Sequence, residues 1–230
     1  ERGTMTHASN GDFNQVRARA HSLGLSAEEM LRDSLKALAG KDRSPAESVL
    51  AERSSLSQNI DALHEELFTV IALQQPLPRD MAEISCIFCM TMSMERVGHY
   101  AEEIARVAAA FPPGREPGHV FSACTIPRMA DEACAMVHDS LDAFISLYVD
   151  PIARHAIRNG EIQAMGAEAL RAGLERMARE PREIRNIERA LHVIRAIEGS
   201  AANSTMAAEK VHLFLTGKGL ETSEIPDRFP

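Results

Sequence analysis

The chain has no tryptophan and only two tyrosines, and aromatics make up 4% of its 230 residues. β-Sandwiches and barrels fill their faces with aromatic and β-branched side chains, so this scarcity argues against them and suits close-packed helices. No run of 18 apolar residues occurs, so there is no candidate membrane-spanning helix. Basic residues are in deficit, 25 Lys and Arg against 33 Asp and Glu, for a formal net charge of −8. Tracking a phosphate backbone needs the opposite balance, so no nucleic-acid partner is expected. The four cysteines, at 86, 89, 124 and 134, are too few for a disulfide scaffold in so long a chain, and a reducing compartment is expected. No signal-peptide pattern stands out, and Glu1-Arg2-Gly3-Thr4 ahead of Met5 is set aside as foreign to the fold. No Gly-rich phosphate loop, nucleophile elbow or Ser/His/Asp spacing is present, so no enzymatic activity is expected.

What is present is a chain that is 45% hydrophobic and 25% charged, long enough to bury a sizeable core. Turn signals divide it at Gly40 to Pro45, Gln74 to Pro78, Pro112 to Gly118, Asp150-Pro151, Glu180-Pro181 and Gly217 to Gly219. Six segments of roughly 25–35 residues lie between them, each a helix by length and polarity pattern. Ser44-Pro45-Ala46-Glu47 is a capping box with proline in the first turn, and Asp150-Pro151 repeats the cap-then-proline pattern at another expected helix start. Gly217 stands where a left-handed cap would close the last helix. In the third segment Ile84, Ile87, Phe88, Thr91, Met94, Gly98, Ala101, Ala105 and Ala108 recur at spacings of three and four. A helix over about 79–111 would run roughly 50 Å, a length suited to an elongated bundle. Its second half is Gly and Ala, where two backbones can approach closely and the bundle is expected to taper.

The chain also repeats itself. Met30-Leu31-Arg32-Asp33-Ser34-Leu35-Lys36-Ala37-Leu38 matches Met136-Val137-His138-Asp139-Ser140-Leu141-Asp142-Ala143-Phe144 at an offset of 106. In the third and sixth segments Pro78-Arg79 pairs with Pro181-Arg182, Ile84 with Ile187, Glu95 with Glu198 and Ala105 with Ala208, at an offset of 103. A period this long exceeds common solenoid units. The economical fold is all-α, two pseudo-repeated antiparallel three-helix bundles of six long helices, with repeats over 5–111 and 119–217 and a tail over 218–230.

Two stretches carry a family resemblance. Ile71-Ala72-Leu73-Gln74-Gln75-Pro76-Leu77-Pro78-Arg79-Asp80 is followed by Met94-Glu95-Arg96-Val97-Gly98-His99-Tyr100-Ala101-Glu102-Glu103-Ile104-Ala105, and the sixth segment closes Thr216-Gly217-Lys218. Together they resemble the PhoU family, with its Gln-Pro turn before the third helix and its Glu-Arg-Ile-Gly segment within it. The resemblance runs from about Asp12 to Gly219. It implies a cytoplasmic, non-enzymatic negative regulator of phosphate uptake and phosphate-starvation signalling. Its implied partners are the phosphate transporter ATPase and a sensor histidine kinase, so it meets the membrane only through partners. Homo-oligomers, homodimers among them, are also expected.

The family also implies metal ions held by acidic pairs four residues apart in the third and sixth helices. Residues four apart share a helix face, so two carboxylates there can converge on one cation. This chain departs from that pattern. The first pair reads Glu95-x-x-x-His99, with Glu102 and Glu103 within about two turns, whereas Glu198 is followed at the pair position by Ala202. A nitrogen donor would tilt the preference toward zinc, nickel or iron over magnesium, and iron, zinc, nickel or manganese are the candidate ions. The ordinary alternative for Glu95, His99, Glu102 and Glu103 is an exposed polar flank with i,i+4 partners. A metal-binding bundle with an altered ligand set and a different partner is the alternative function.

Cys86-x-x-Cys89, among Met81, Met90, Met92 and Met94, is read as small and adaptable core residues. Asp61-x-x-His64 and Glu209-x-x-His212 fall short of a di-iron carboxylate set, which needs two Glu-x-x-His motifs and two further Glu. Arg79, Asp80 and Arg182, at the openings of the third and sixth helices, are the candidate partner surface at one end of the bundle, or ordinary first-turn polarity.

Overall fold

Six α-helices carry most of a computed structural model that describes residues 10–40, 44–74, 76–110 and 125–220. They are α1 (Asn10–Ala39), α2 (Ser44–Gln74), α3 (Pro78–Ala110), α4 (Thr125–Ser146), α5 (His155–Arg179) and α6 (Ile184–Thr216). Four have 30 to 33 residues, while α4 has 22 and falls below the expected range. None is long and apolar enough to cross a membrane. The Pro112–Gly118 break, Cys124, the residues Glu1 to Thr4, the expected domain limits at 5, 111 and 119, and the tail beyond Leu220 lie outside the described residues.

The helix ends follow mostly from local chemistry. α3 opens with Pro78, and Leu77 N–H donates to Asp80 Oδ2 at 3.0 Å, the reach-back half of a capping box. α6 closes at Gly217 with φ 71°, whose N–H donates to Leu213 O at 2.9 Å. Two expected starts are corrected. Asp150-Pro151 opens a one-turn 3-10 helix, Asp150–Ile152, and α5 begins only at His155. Arg182 likewise sits in a 3-10 turn, Pro181–Glu183, ahead of α6.

The repeat in the sequence is a repeat in burial. Twelve of the thirteen buried positions of α3 recur in α6 at the offset of 103, Cys86 and Thr205 being the exceptions. In α2 the buried Ala46, Val49, Leu56, Ile60, Leu63 and Leu67 fall on Ile152, His155, Ile162, Gly166, Ala169 and Gly173 at the offset of 106. The three-residue difference therefore lies in the connection between α2 and α3. Buried serines match too: Ser34 Oγ donates to Leu31 O at 2.8 Å, and Ser140 Oγ donates to Val137 O at 2.8 Å.

The two units join along α3 and α6, which pack closely, with α1 against α3, α4 against α6, and α1 meeting α4. The outer helices are α2 and α5. Cys89 lies beside the backbone of Met206, Tyr100 against Gly199, and Glu103 beside His192. Those pairs run in opposite directions along the chain, so α3 and α6 are antiparallel. α1 approaches α4 at Gly24, where an added Cβ would lie 2.3 Å from Leu141 and 3.3 Å from Met94.

The methionine reading needs a division. Met90 and Met94 are fully buried core, whereas Met81 and Met92 are 39% and 57% exposed. Cys86 is buried, and burial pushes its thiol up to about 12, which leaves it without reactive thiolate.

Candidate functional site

The third-helix segment singled out by the sequence forms the outer surface where α3 lies between α2 and α6. Glu95 faces α2: Ser57 Oγ donates to its Oε1 at 2.7 Å, and Arg53 Nη2 does so at 3.4 Å. Glu102 lies about two helical turns further along, where Arg106 Nε donates to it at 3.1 Å and Arg53 Nε lies 3.7 Å away. Arg53 is mostly covered and spans both carboxylates, so it neutralises the acidic side of the segment. His99 Nε2 is 3.4 Å from Glu103 Oε1 and its Nδ1 is 4.0 Å from Glu102. The other oxygen of Glu103 is 3.8 Å from His192 Nε2 on α6, so Glu103 links the two repeats.

His99, Glu102, Glu103 and His192 border a cleft of about 410 Å³ between α3 and α6, lined also by Arg106, Val107, Ala110 and Arg189. His192 had no signal in the sequence except through the repeat, which aligns it with Cys89. Its pairing with a carboxylate 89 residues away is a product of the tertiary fold.

Glu198 does not join this group. It packs on α5, where an added Cβ at Gly166 would lie 1.7 Å from its Oε1. Burial raises its carboxyl above the ordinary range, against the opposing influence of Arg195. The neighbouring departure from Glu-Arg-x-Gly has a steric cause. Gly199 stands where the first repeat has Arg96, and the Tyr100 ring occupies that space, 2.3 Å from where a Cβ would be. Arg96 itself lies 5.9 Å from the centre of the same ring.

The expected metal ligands are thus brought partly together. Glu95, His99, Glu102 and Glu103 share the outer surface of α3, while Glu198 faces α5. As the side chains lie, Glu95 and Glu102 are taken up by Arg53, Ser57 and Arg106. Among the described residues no three His, Cys, Asp or Glu side chains are grouped as a metal ion would require. The arrangement does not fit a cation without displacement of both guanidinium groups.

His64 and His212 serve local structure. His64 Nε2 is 2.7 Å from Thr91 Oγ1, and His212 Nδ1 is 2.9 Å from Lys218 O beside the α6 cap. Arg79 and Asp80 open α3, while Arg182 precedes α6. Because those helices are antiparallel, the two starts lie at opposite ends of the pair. The expectation of one shared partner surface at one end is corrected accordingly: Asp80 caps its helix and Arg182 is exposed at the far end.

Comparisons with known proteins bear on this arrangement. Residues 21–108, within α1 to α3, match the family model described as PhoU domain. A Rhizobium meliloti (strain 1021) protein named phosphate-specific transport system accessory protein PhoU homolog is 26% identical over 199 residues, spanning 86% of this chain and 83% of that protein. The Escherichia coli (strain K12) phosphate-specific transport system accessory protein PhoU is 23% identical over 210 residues, spanning 91% of this chain and 86% of that protein. The crystal structure of PhoU from Pseudomonas aeruginosa superposes with a TM-score of 0.83 at 23% identity, spanning 91% of this chain and 99% of that one. The phosphate transport system regulatory protein PhoU from Streptococcus pneumoniae gives a TM-score of 0.78 at 19% identity, over 92% and 99%.

Proposed function

We propose, from the match of residues 21–108 to the PhoU domain and the likeness to PhoU proteins along most of the chain, that it is a PhoU-type accessory regulator of a phosphate-specific transport system. It restrains phosphate uptake and phosphate-starvation signalling by protein contact with the transporter ATPase and with a sensor histidine kinase. It acts in the cytoplasm, as a homo-oligomer, and reaches the membrane only through those partners. The observation that carries the reading is the likeness, along more than four-fifths of both chains, to relatives named as accessory proteins of that transport system. The outer surface of α3 adds physical support. Its charged groups are paired with one another at the junction of two repeats, an arrangement suited to presenting a fixed surface.

The test is capture of the purified protein by the transporter ATPase and by the sensor kinase, together with phosphate-starvation gene expression in a deletion strain. Binding to either partner and derepressed expression are expected. No binding to either, with unchanged expression, would sink the proposal.

Metal binding at Glu95, His99, Glu102 and Glu103 is the alternative proposal, with zinc, iron, nickel or manganese as the candidates. It is supported by four donors on one helix surface, and it requires Arg53 and Arg106 to swing away. Under it, elemental analysis finds co-purified metal near one equivalent, falling at least about tenfold in Glu95→Ala or His99→Ala. Less than about a tenth of an equivalent in the unmodified protein would count against it, because native structural sites stay occupied.

A further inference from the structure

The surface along α3 and α6 differs in character at its two ends, although the same repeat builds both. At the second-repeat end it carries the polar cleft bordered by Glu103 and His192, with Arg195 one turn beyond His192 along α6. The repeat places Met206, Cys89 and Met92 at the equivalent positions of the first-repeat end. There Met92 and Met206 are 57% and 53% exposed, and Cys89 Sγ lies 3.9 Å from the Met206 carbonyl. The fold tolerates charge at these positions, as Arg195 and Glu103 demonstrate, so nothing in the packing demands methionine.

The apolar surface continues to either side. On α3, Met81, Phe88 and Met92 fall at i, i+7 and i+11, about 16 Å of helix. From α2, Phe68 is 60% exposed, and its ring centre is 5.1 Å from that of Phe88. On α6, Leu213 lies seven residues beyond Met206 and is also exposed. Methionine and phenylalanine together make a soft, deformable strip, the chemistry that receives the apolar face of a helix. Scattered exposed apolar residues are ordinary, but a continuous strip across three helices is not.

Charge identifies the occupant. Asp61 and Glu65 border the strip on α2 and Glu209 borders it on α6, all exposed and none in an ion pair among the described residues. The cations nearby are Lys210 and, at the far edge, Arg96, which is turned toward Tyr100. We propose that the strip of Phe68, Met81, Phe88, Met92, Met206 and Leu213 is the docking site for an amphipathic helix of a partner protein, its apolar face flanked by Lys or Arg. Apolar side chains at i, i+4, i+7 and i+11 of that helix enter the strip, and its cations meet Asp61, Glu65 and Glu209. The inference rests on the reading that this chain works by protein contact, and it specifies the chemistry of the contact.

The experiment uses the whole protein and two synthetic helical peptides of about 18 residues, sharing one Leu/Phe face and differing only in Lys/Arg or Glu flanks. Fluorescence anisotropy is expected to show the basic peptide binding at least about tenfold more tightly than the acidic one. Phe68→Ser with Met92→Gln weakens the basic peptide at least about tenfold while the melting curve stays in place, because both side chains are exposed. Arg195→Ala, at the polar end, leaves peptide binding unchanged. Methyl spectra localise the contact, with Met81, Met92 and Met206 shifting and the buried Met90 and Met94 staying still. Absence of saturable binding, equal binding of the two peptides, or binding indifferent to the double variant overturns the proposal. So does sedimentation showing a dimer that Met92→Gln disperses, which makes a second copy the occupant, or saturable binding to phosphatidylglycerol vesicles, which makes it a membrane. The peptides contain nothing from a transporter or kinase. Failure of capture with intact peptide docking therefore removes only the phosphate reading, and the reverse result removes only this docking site.

Discussion

Replacing Met94 by alanine is expected to cost about 2–5 kcal/mol, and to lower the melting temperature by on the order of 10 °C. Met94 is fully buried, and it stands where α1, α3 and α4 converge. Gly24 of α1 lacks the Cβ that would meet Met94 and Leu141, so the three helices close on one another with no slack. Truncating Met94 opens a cavity at the contact between the repeats, and close-packed backbones relax only partly into it. The control is Met92→Ala, two residues away on the outer surface, for which a change within about 0.5 kcal/mol is expected. Thermal and urea unfolding of the two variants checks the contrast. Equal losses would mean that Met94 is not the packing element described.

The second expected result is loss of stability as the solution is acidified below neutrality, with His155 as a principal cause. His155 is fully buried at the start of α5, and its Nε2–H donates to Met136 O at 2.9 Å. Ser204 Oγ donates to the same carbonyl at 2.6 Å, so this atom ties α4, α5 and α6 together. Nδ1 is buried with no partner. Protonating it would place an unpaired charge in the core, and burial accordingly holds the imidazole below its ordinary value. The unfolded chain takes up a proton near the ordinary value of about 6.5, while the folded chain refuses it until lower pH. Stability contributed by the neutral ring is therefore complete above about 6.5 and is lost as pH falls below it, by up to about 1.4 kcal/mol per pH unit. His21 and His64 are lowered by burial as well, but they are partly exposed and contribute less. Urea midpoints between pH 7.5 and 5 measure the slope. His155→Gln keeps a donor for Met136 O and removes the titration, so its curve is expected to be flatter. Parallel curves for the two proteins would assign the acid lability elsewhere.

Features governed by neighbouring residues were legible in the sequence. The proline start of α3 at Pro78, the left-handed Gly217 and the apolar stripe of α3 depend on helix period and backbone preference, which act within a few residues. The paired serines at 34 and 140 and the paired glutamates at 95 and 198 announced two copies of one unit. Asp150-Pro151 misled because a proline preset for a first helical turn serves a 3-10 turn equally well. The site was less legible. Glu95, His99, Glu102 and Glu103 were recognised as one surface, but Arg53 and Ser57, which neutralise and hold Glu95, come from another helix. The loss of the arginine equivalent to Arg96 was visible as Gly199. Its cause, the ring of Tyr100 from the other repeat, was not.

What the sequence determined by itself is therefore the set of helices, most of their ends and their duplication, because capping and periodicity are local. The tertiary structure decided which side of each helix is covered. Met90 and Met94 lie under neighbouring helices while Met81 and Met92 lie outside them, although all four belong to one helix of similar composition. The antiparallel pairing of α3 and α6 brought Glu103 to His192 and sent Arg79 and Arg182 to opposite ends. Those outcomes depend on how two remote segments pack, and no pattern within either segment encodes the other's approach.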